Sequence, residues 1–446
     1  MRAFLIFAAL AMSAQPAATP EQVLAKARDR IVDRTARLPN YTCVQTVDRK
    51  YFKFKSPPFG ALSCDDMSAK RKKKNSSLHL EATDRIRLDV KVSGGTEIGA
   101  WAGSSHFDDG NVMKLIQGPF GTGAFGTILS DIFSGDGVRF YFDGEEQVDS
   151  LNLFRYRFEV AHESSHYMVH AGGDWVFTGY DGAVWVDPNT LELRRLLMRT
   201  TELPKETGAC ESTTTVDYAS MRVGDGNFLL PQRSSLHFLL RDMTESDVAT
   251  TYSACHQYHA EANPIPDPSA IAAEPPPARP PTSIPASLVL TIRLAEPIDT
   301  DTAAAGDVVV PRVSAVRRRD PKAKKIVPVN GSVVDIGAPI RGRIVLMQHL
   351  LDPPRSFVVA IQLETVEIKG IASPLYAIRP TEYGPWTVTK VTLEHRYRAR
   401  PVFLPPSGQS RLVCNFSFFT NAGRYVMPSG YASQWSTVAS STEPRP

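Results

Sequence analysis

Within the 446 residues of this chain, the arrangement with the clearest capacity for chemistry is His162-Glu163-Ser164-Ser165-His166. On an α-helix, two imidazoles four residues apart share one face and can hold Zn²⁺, while the Glu between them takes a proton from the metal-bound water. His170 repeats the spacing and would be the third ligand. The preceding residues predict a different setting. Phe154, Tyr156, Phe158 and Val160 alternate with Arg155, Arg157 and Glu159 at period two, the mark of a strand, and Gly172-Gly173 ends the segment. His162 and His166 are therefore expected on either side of a Glu-Ser-Ser turn, and a zinc hydrolase built on His162, Glu163 and His166 stands only as an alternative. The chain carries no nucleophile elbow, C-x-x-C pair or EF-hand loop, and the glycine-rich run from Gly118 to Gly126 lacks the Lys-Ser/Thr of a phosphate loop. That run reads as a mobile loop or lid, and no cofactor is expected.

The other candidates are binding residues. Aromatics crowd the first half of the chain, and Trp101, Phe107, Tyr156, Phe158, Trp175 and Trp185 are expected to line an apolar groove. Lys70-Arg71-Lys72-Lys73-Lys74 is a cationic run suited to an anionic envelope surface, and Arg317-Arg318-Arg319 with Lys322, Lys324 and Lys325 is a second. The formal net charge of +3 gives no reason to expect a nucleic-acid partner. Hydrophobic residues at 42% and charged residues at 22% describe a globular chain, neither disordered nor built of membrane spans.

The elements that must position these residues fall into two units. Residues 1–14 form a short basic start, an apolar run and a small-residue end, a secretory leader with cleavage expected between residues 11 and 18. From 263 to 285 nine prolines stand in twenty-three residues, which excludes helix and sheet and predicts an extended linker. Before it, residues 20–262 open with an amphipathic helix carrying Val23, Ala27 and Ile31 at helical spacing. Long strands then alternate at period two, as in Ile86, Leu88, Val90 and Val92, with turn residues between them. A helix followed by a meander predicts an α+β unit with one large curved antiparallel sheet. After the linker, residues 286–446 show short strand candidates separated by glycine and proline, an all-β sandwich or small barrel. In an exported protein the five cysteines read as two bridges and a remainder, and order along the chain favours Cys43–Cys64 and Cys210–Cys255, leaving Cys414.

The helix, the Asn40-Tyr41-Thr42-Cys43 strand, the meander and the hairpin Tyr180-Asp181-Gly182-Ala183-Val184-Trp185-Val186-Asp187-Pro188-Asn189-Thr190 together resemble the periplasmic lipoprotein-carrier superfamily, LolA/LolB-like. The resemblance implies an open half-barrel wrapped around a helix, with a concave face that binds acyl chains. The stretch from Asp84 to Glu211 is also similar to a family of exported proteins from environmental bacteria of the Acidobacteria type. In the second unit, Leu290-Thr291-Ile292-Arg293-Leu294, Gly306-Asp307-Val308 and Arg341-Gly342-Arg343-Ile344 are faintly similar to the β-barrel of envelope-spanning secretion proteins, VirB10/TrbI-like.

The expected function is that of a periplasmic or secreted, non-enzymatic cell-envelope protein. Its first unit would bind a lipid or lipidated ligand, and its second would dock to an envelope partner; no membrane span is expected. A purely structural or adhesive envelope protein without ligand is the alternative of a different class.

Overall fold

The computed structural model describes residues 18–54, 64–66, 78–93, 96–104, 107, 116, 118–171, 174–200, 203–241, 244–258, 281–286, 288–320, 325–329, 331–353, 355–378, 414–419 and 423–437. The leader, the run from Lys70 to Lys74 and residues 263–280 of the linker lie outside the described residues. The first unit runs α1 (Pro20–Ala36), β1 (Tyr41–Phe54), β2 (Leu78–Ser93), β3 (Thr96–Trp101), α2 (Thr127–Ser134), β4 (Arg139–Val148), β5 (Leu151–Val160), β6 (Met168–Ala171), β7 (Asp174–Phe177), β8 (Tyr180–Val186), β9 (Leu193–Thr200), β10 (Ala209–Val223), β11 (Gly226–Leu240) and β12 (Glu245–Gln257). The second runs β13 (Leu288–Arg293), β14 (Ile298–Asp299), β15 (Val308–Val309), β16 (Arg312–Arg319), β17 (Ile326–Pro328), β18 (Ile340–Leu350), β19 (Ser356–Ile368), β20 (Ile371–Pro374), β21 (Ala377–Ile378), β22 (Cys414–Phe419), β23 (Val426–Met427) and β24 (Ala432–Thr437).

Helix α1 starts where local chemistry sets its start. The Thr19 hydroxyl accepts from the Gln22 amide, the Gln22 side chain accepts from the Thr19 amide, and Pro20 stands at the first helical position. Val23, Ala27 and Ile31 form its buried stripe, as the spacing predicts. The long strands alternate as expected: in β1 the buried face holds Tyr41, Cys43, Gln45, Val47, Arg49 and Tyr51, and in β2 it holds Ile86, Leu88, Val90 and Val92. Inward residues of β1, β2, β5, β8, β9, β10, β11 and β12 meet the stripes of α1 and α2 in one apolar cluster. A sheet whose inner faces all reach two short helices must curl around them, so one face is concave.

Sheet order makes the first and last long strands of this unit neighbours. The main sheet has fifteen strands with the path β20-β19-β18-β2-β1-β12-β11-β10-β9-β8-β5-β4. Strand β1 pairs with β12, and the register slips between Thr42 and Val44, which brings Cys43 across from Cys255. The bridges are Cys43–Cys255 and Cys64–Cys210, not the Cys43–Cys64 and Cys210–Cys255 pairing that sequence order favours. Nearness along the chain is the wrong guide here, because the sheet joins strands more than 200 residues apart.

The second unit has its own core, with Leu290, Ile340, Ile344, Val366 and Trp435 at its centre. That core lies between the β18-β19 part of the main sheet and a five-stranded sheet ordered β17-β16-β13-β24-β21. The two cores are separate, yet one sheet runs through both: Gln348, His349 and Leu350 of β18 pair with Asp84, Thr83 and Ala82 of β2. Arg343, buried at this seam, donates from Nη1 to the carbonyls of Ala102 and Gly306 at 2.6 Å each, and from Nε to Glu364 at 2.9 Å. Gly306 has φ +111°, and a Cβ there would stand 2.0 Å from the Arg87 carbonyl oxygen. Any larger residue at 306 would hold β2 off the seam.

Close to the seam, the Arg49 guanidinium is fully buried and bidentate on Asp84, at 2.7 and 2.8 Å, with the Tyr51 hydroxyl donating to the same carboxylate at 3.0 Å. Replacing Arg49 by Met leaves a buried carboxylate without its counter-charge. Arg49→Met is expected to cost about 3–5 kcal/mol in urea unfolding; a change within experimental error would show that the pair contributes nothing. Non-reducing peptide mapping should yield Cys43–Cys255 and Cys64–Cys210. Each bridge is expected to stabilise the mature chain by roughly 2–5 kcal/mol, measured against its double-serine variant.

Candidate functional site

The concave face is the part of the molecule whose composition calls for a ligand or a cover, and the chain supplies a cover in three pieces. Helix α1 is fastened by polar contacts at both ends. The Tyr156 hydroxyl donates to the Pro20 carbonyl at 2.7 Å, Arg30 donates to the Thr190 carbonyl at 2.9 Å, and Arg34 pairs with Glu192 at 3.4 Å. The β8–β9 turn that receives these arginines is itself fixed, since the Asp187 carboxylate accepts from the amides of Asn189 and Thr190. Burial raises the Asp187 pKa, but those amides, the Thr190 hydroxyl and Arg194 outweigh it and hold the group below its ordinary value.

The second piece is α2, eight residues long, entered through Gly126 without a side-chain cap and left through Gly135. It buries Ile128, Leu129, Ile132 and Phe133. Phe133 stacks on Phe140 at 5.8 Å, which in turn packs on Phe158 at 6.0 Å. The third piece is the glycine-rich run before α2, read from sequence as a mobile loop or lid. In the structure it is pinned and inserted. Phe125 is only 2% exposed and lies edge-on to Tyr252 at 4.9 Å and to Tyr41 at 5.8 Å. The Glu97 carboxylate accepts from the amides of Gly123 and Phe125 at 3.0 Å each, and Tyr218 donates to the Ala124 carbonyl at 2.9 Å. Burial pushes the Glu97 carboxyl above its ordinary value, and the two amides offset this only in part.

The aromatics expected along a groove are dispersed. Tyr156 and Phe158 are fully buried in the concave cluster, Trp101 stands at its edge on β3, and Phe107 is partly buried. Trp185 lies on the opposite, convex face with Leu153 and Ala183. The reason is the pleat: Val184 and Val186 face the helices, so Trp185 between them cannot. Its indole donates to Glu146 at 3.0 Å, and the Arg155 guanidinium lies over its ring at 5.3 Å. Trp175 is 48% exposed on the separate β6–β7 ribbon, opposite His170 and beside Phe177 and Met168, both also exposed. The residues that sequence reasoning missed are Glu97, Tyr41, Tyr218, Tyr252 and Phe125. No motif marks the four on strands, which strand pairing alone brings together, while Phe125 lies in the glycine-rich run that the sequence marks as a loop or lid and the structure uses as a plug.

The His162 motif does not form a metal clamp. His162 and Glu163 lie in a three-residue 3₁₀ turn, His162–Ser164, between β5 and β6, and His166 follows beyond it. Imidazoles four apart converge on one ion only along a continuous α-helical turn, which this segment lacks. His166 is exposed, with Nδ1 3.9 Å from Asp131 Oδ1. Among the described residues no group of three His, Cys, Asp or Glu side chains is disposed to hold a metal ion.

No protein-family model and no curated protein matches the chain. Among solved structures, a DUF1329 family protein from Desulfovibrio piger is similar over 55% of this chain and 95% of its own, at 9% identity and a TM-score of 0.27. A LolA superfamily protein from Nitrosomonas europaea is similar over 55% of this chain and 95% of its own, at 14% identity and a TM-score of 0.24. A putative outer membrane lipoprotein-sorting protein domain from Vibrio parahaemolyticus covers 54% of this chain and 93% of its own, at 11% identity and a TM-score of 0.26.

The raised Glu97 carboxyl has a consequence for stability. A carboxyl whose pKa is higher in the folded state contributes stability that is fully present below the unfolded pKa, about 4.3, and lost as pH rises through the folded value. Glu97→Gln lacks this dependence. Its stability relative to the wild type, from urea unfolding across the acid to neutral range, is expected to improve as pH rises; a pH-independent difference would show that Glu97 is not desolvated.

Proposed function

We propose that the chain is an exported, non-enzymatic cell-envelope protein whose residues 20–262 accept a lipid, or the acyl part of a lipidated ligand, against the concave face of the curled sheet. In this reading residues 286–446 dock to an envelope partner, and residues 263–285 act as the linker. The observation that carries the reading is the uneven fastening of the cover. Helix α1 is tied at both ends by polar side chains. Helix α2 itself has one such tie, Arg28 donating to the Phe133 carbonyl, and is an eight-residue helix between two glycines with no side-chain N-cap, far shorter than the roughly 12–15 residues an isolated helix needs to persist in water. It is held chiefly by Ile128, Leu129, Ile132 and Phe133, and an acyl chain offers the strands beneath it the same kind of surface.

The leader-like start and the two bridges suit an oxidising compartment, periplasmic or extracellular. Among the described residues no helix is long and apolar enough to cross a membrane. The run from Lys70 to Lys74 is retained as the candidate for contact with anionic lipid. Trp101, Tyr156 and Phe158 are retained as groove residues, since they border or line the concave cluster. A second reading, a structural or adhesive envelope protein without ligand, is favoured by one observation: Phe125 and α2 already fill the concave face.

Native mass spectrometry of the mature protein from its host's envelope, without detergent exchange, separates the two. The carrier reading expects a lipid-sized adduct that is lost on delipidation. It also expects a larger adduct fraction in Phe133→Ala, where the seat of α2 loses roughly 3–5 kcal/mol of packing. A bare mass in both proteins supports the structural reading.

A further inference from the structure

One end of the concave face is not greasy. Glu97 on β3 stands opposite Val92 on β2, and Val92 opposite Tyr41 on β1, so the three share the inner face in one row. Tyr252 of β12 and Tyr218 of β10 join them around the Phe125 ring and its backbone. The Glu97 charge acts on all three phenols, raising the pKa of Tyr41, Tyr218 and Tyr252 beyond what their burial already does.

Two groups of this cluster keep bonding capacity that the fold does not fill. The Tyr41 hydroxyl, on a residue with 0% exposure, has no hydrogen-bond partner among the described residues. A buried hydroxyl without a partner carries the penalty of desolvation without the bond that offsets it. Glu97 is a partly buried carboxylate with no cationic partner among the described residues; two backbone amides occupy one acceptor position on each oxygen, of the roughly four it offers. A carboxylate without a counter-charge, close enough to three tyrosines to act on their phenols, favours a cation with an apolar outline, because carboxylates and aromatic ring faces are both negative in potential. An anionic group would be repelled by the same charge.

We infer that Glu97, Tyr41, Tyr218 and Tyr252 form a site for an alkylammonium group, and that Phe125 is the chain's own occupant of it. The inference deepens the acyl-carrier reading and rests on it: the ammonium would be one end of the ligand and α2's apolar seat would take the other. The ammonium could come from a lipid headgroup or from an amine of a lipidated peptide, and the chemistry at Glu97 is the same for both.

The test uses the full mature chain with its bridges intact, titrated by calorimetry with dodecyltrimethylammonium, dodecyl maltoside and dodecyl sulfate, each below its critical micelle concentration. The cationic amphiphile is expected to bind roughly ten- to thirty-fold more tightly than the neutral one, as a desolvated cation–π and carboxylate contact allows. In Glu97→Gln that preference should vanish while dodecyl maltoside binding persists. In Phe125→Ala the cationic amphiphile should bind more tightly still. Equal affinity for the three headgroups, or a cationic preference that survives in Glu97→Gln, overturns the inference while leaving the carrier reading standing. If no amphiphile binds, the carrier reading fails, and tetramethylammonium with Phe125→Ala decides the site alone: binding that Glu97→Gln abolishes upholds it, and no binding overturns it. A lysine-bearing acylated peptide set against a zwitterionic lysophospholipid then distinguishes the two sources by which binds more tightly.

Discussion

A single antiparallel sheet that curls has one face too apolar to leave in water, and the first unit is organised around covering it. Nine strands, with Trp101 of β3 at the rim, contribute buried residues to one cluster, far more surface than a helix of seventeen residues can shield. At about 25 cal/mol per Å² of buried apolar surface, leaving about 600 Å² of such a face wet would cancel the whole net stability of a typical domain. The chain therefore folds α2 and the Phe125 segment into the same concavity. What looks like an insertion between β3 and β4 completes the core.

Polar contacts decide which parts of that cover are permanent. Tyr156, Arg30 and Arg34 fix the two ends of α1 to β5 and to the neighbouring β8–β9 turn. The Cys43–Cys255 bridge ties β1 to β12 where their register breaks, and Cys64–Cys210 ties the segment after β1 to the start of β10. On the far side of β2, Arg343 and the close approach at Gly306 join the second unit through backbone carbonyls, so the sheet continues past the first core. The segment from Gly123 to Ser134 is held differently: two amides on one desolvated carboxylate, a tyrosine hydroxyl on Ala124, Arg28 on the Phe133 carbonyl, and apolar contact. In the proposed carrier reading it is the part of the cover that a ligand of matching shape replaces.

Much of the local structure is legible in the sequence, because periodicity reports which face of an element is buried. The α1 stripe, the alternation of β2 and β5, and the strand-turn context that disqualifies His162 and His166 all follow from it. What periodicity does not report is which strands are neighbours. The pairing of β1 with β12 decides both bridges, and no short-range pattern encodes it. Trp185 illustrates a finer loss: aromatic content suggests a groove, but one step of the pleat sends the residue to the convex face. Glu97, Tyr41, Tyr218 and Tyr252 sit on four strands spread over more than 150 residues, so their meeting is a property of sheet order alone. The glycines around Phe125 suggest mobility, whereas the structure uses them to let the backbone reach Glu97, with Gly123 at φ +89°.

Ligand binding to the concave face, as proposed, requires that the segment from Gly123 to Ser134 give up its place. Hydrogen exchange followed by mass spectrometry, on the mature protein with and without a saturating single-chain lysophospholipid, addresses it most directly. Amides of residues 123–134 are expected to lose protection when the lipid is bound, while those of β8, β9 and β10 keep or gain it. Unchanged or increased protection of residues 123–134 at saturation would contradict it, because the ligand would then be bound with the chain's own cover still in place.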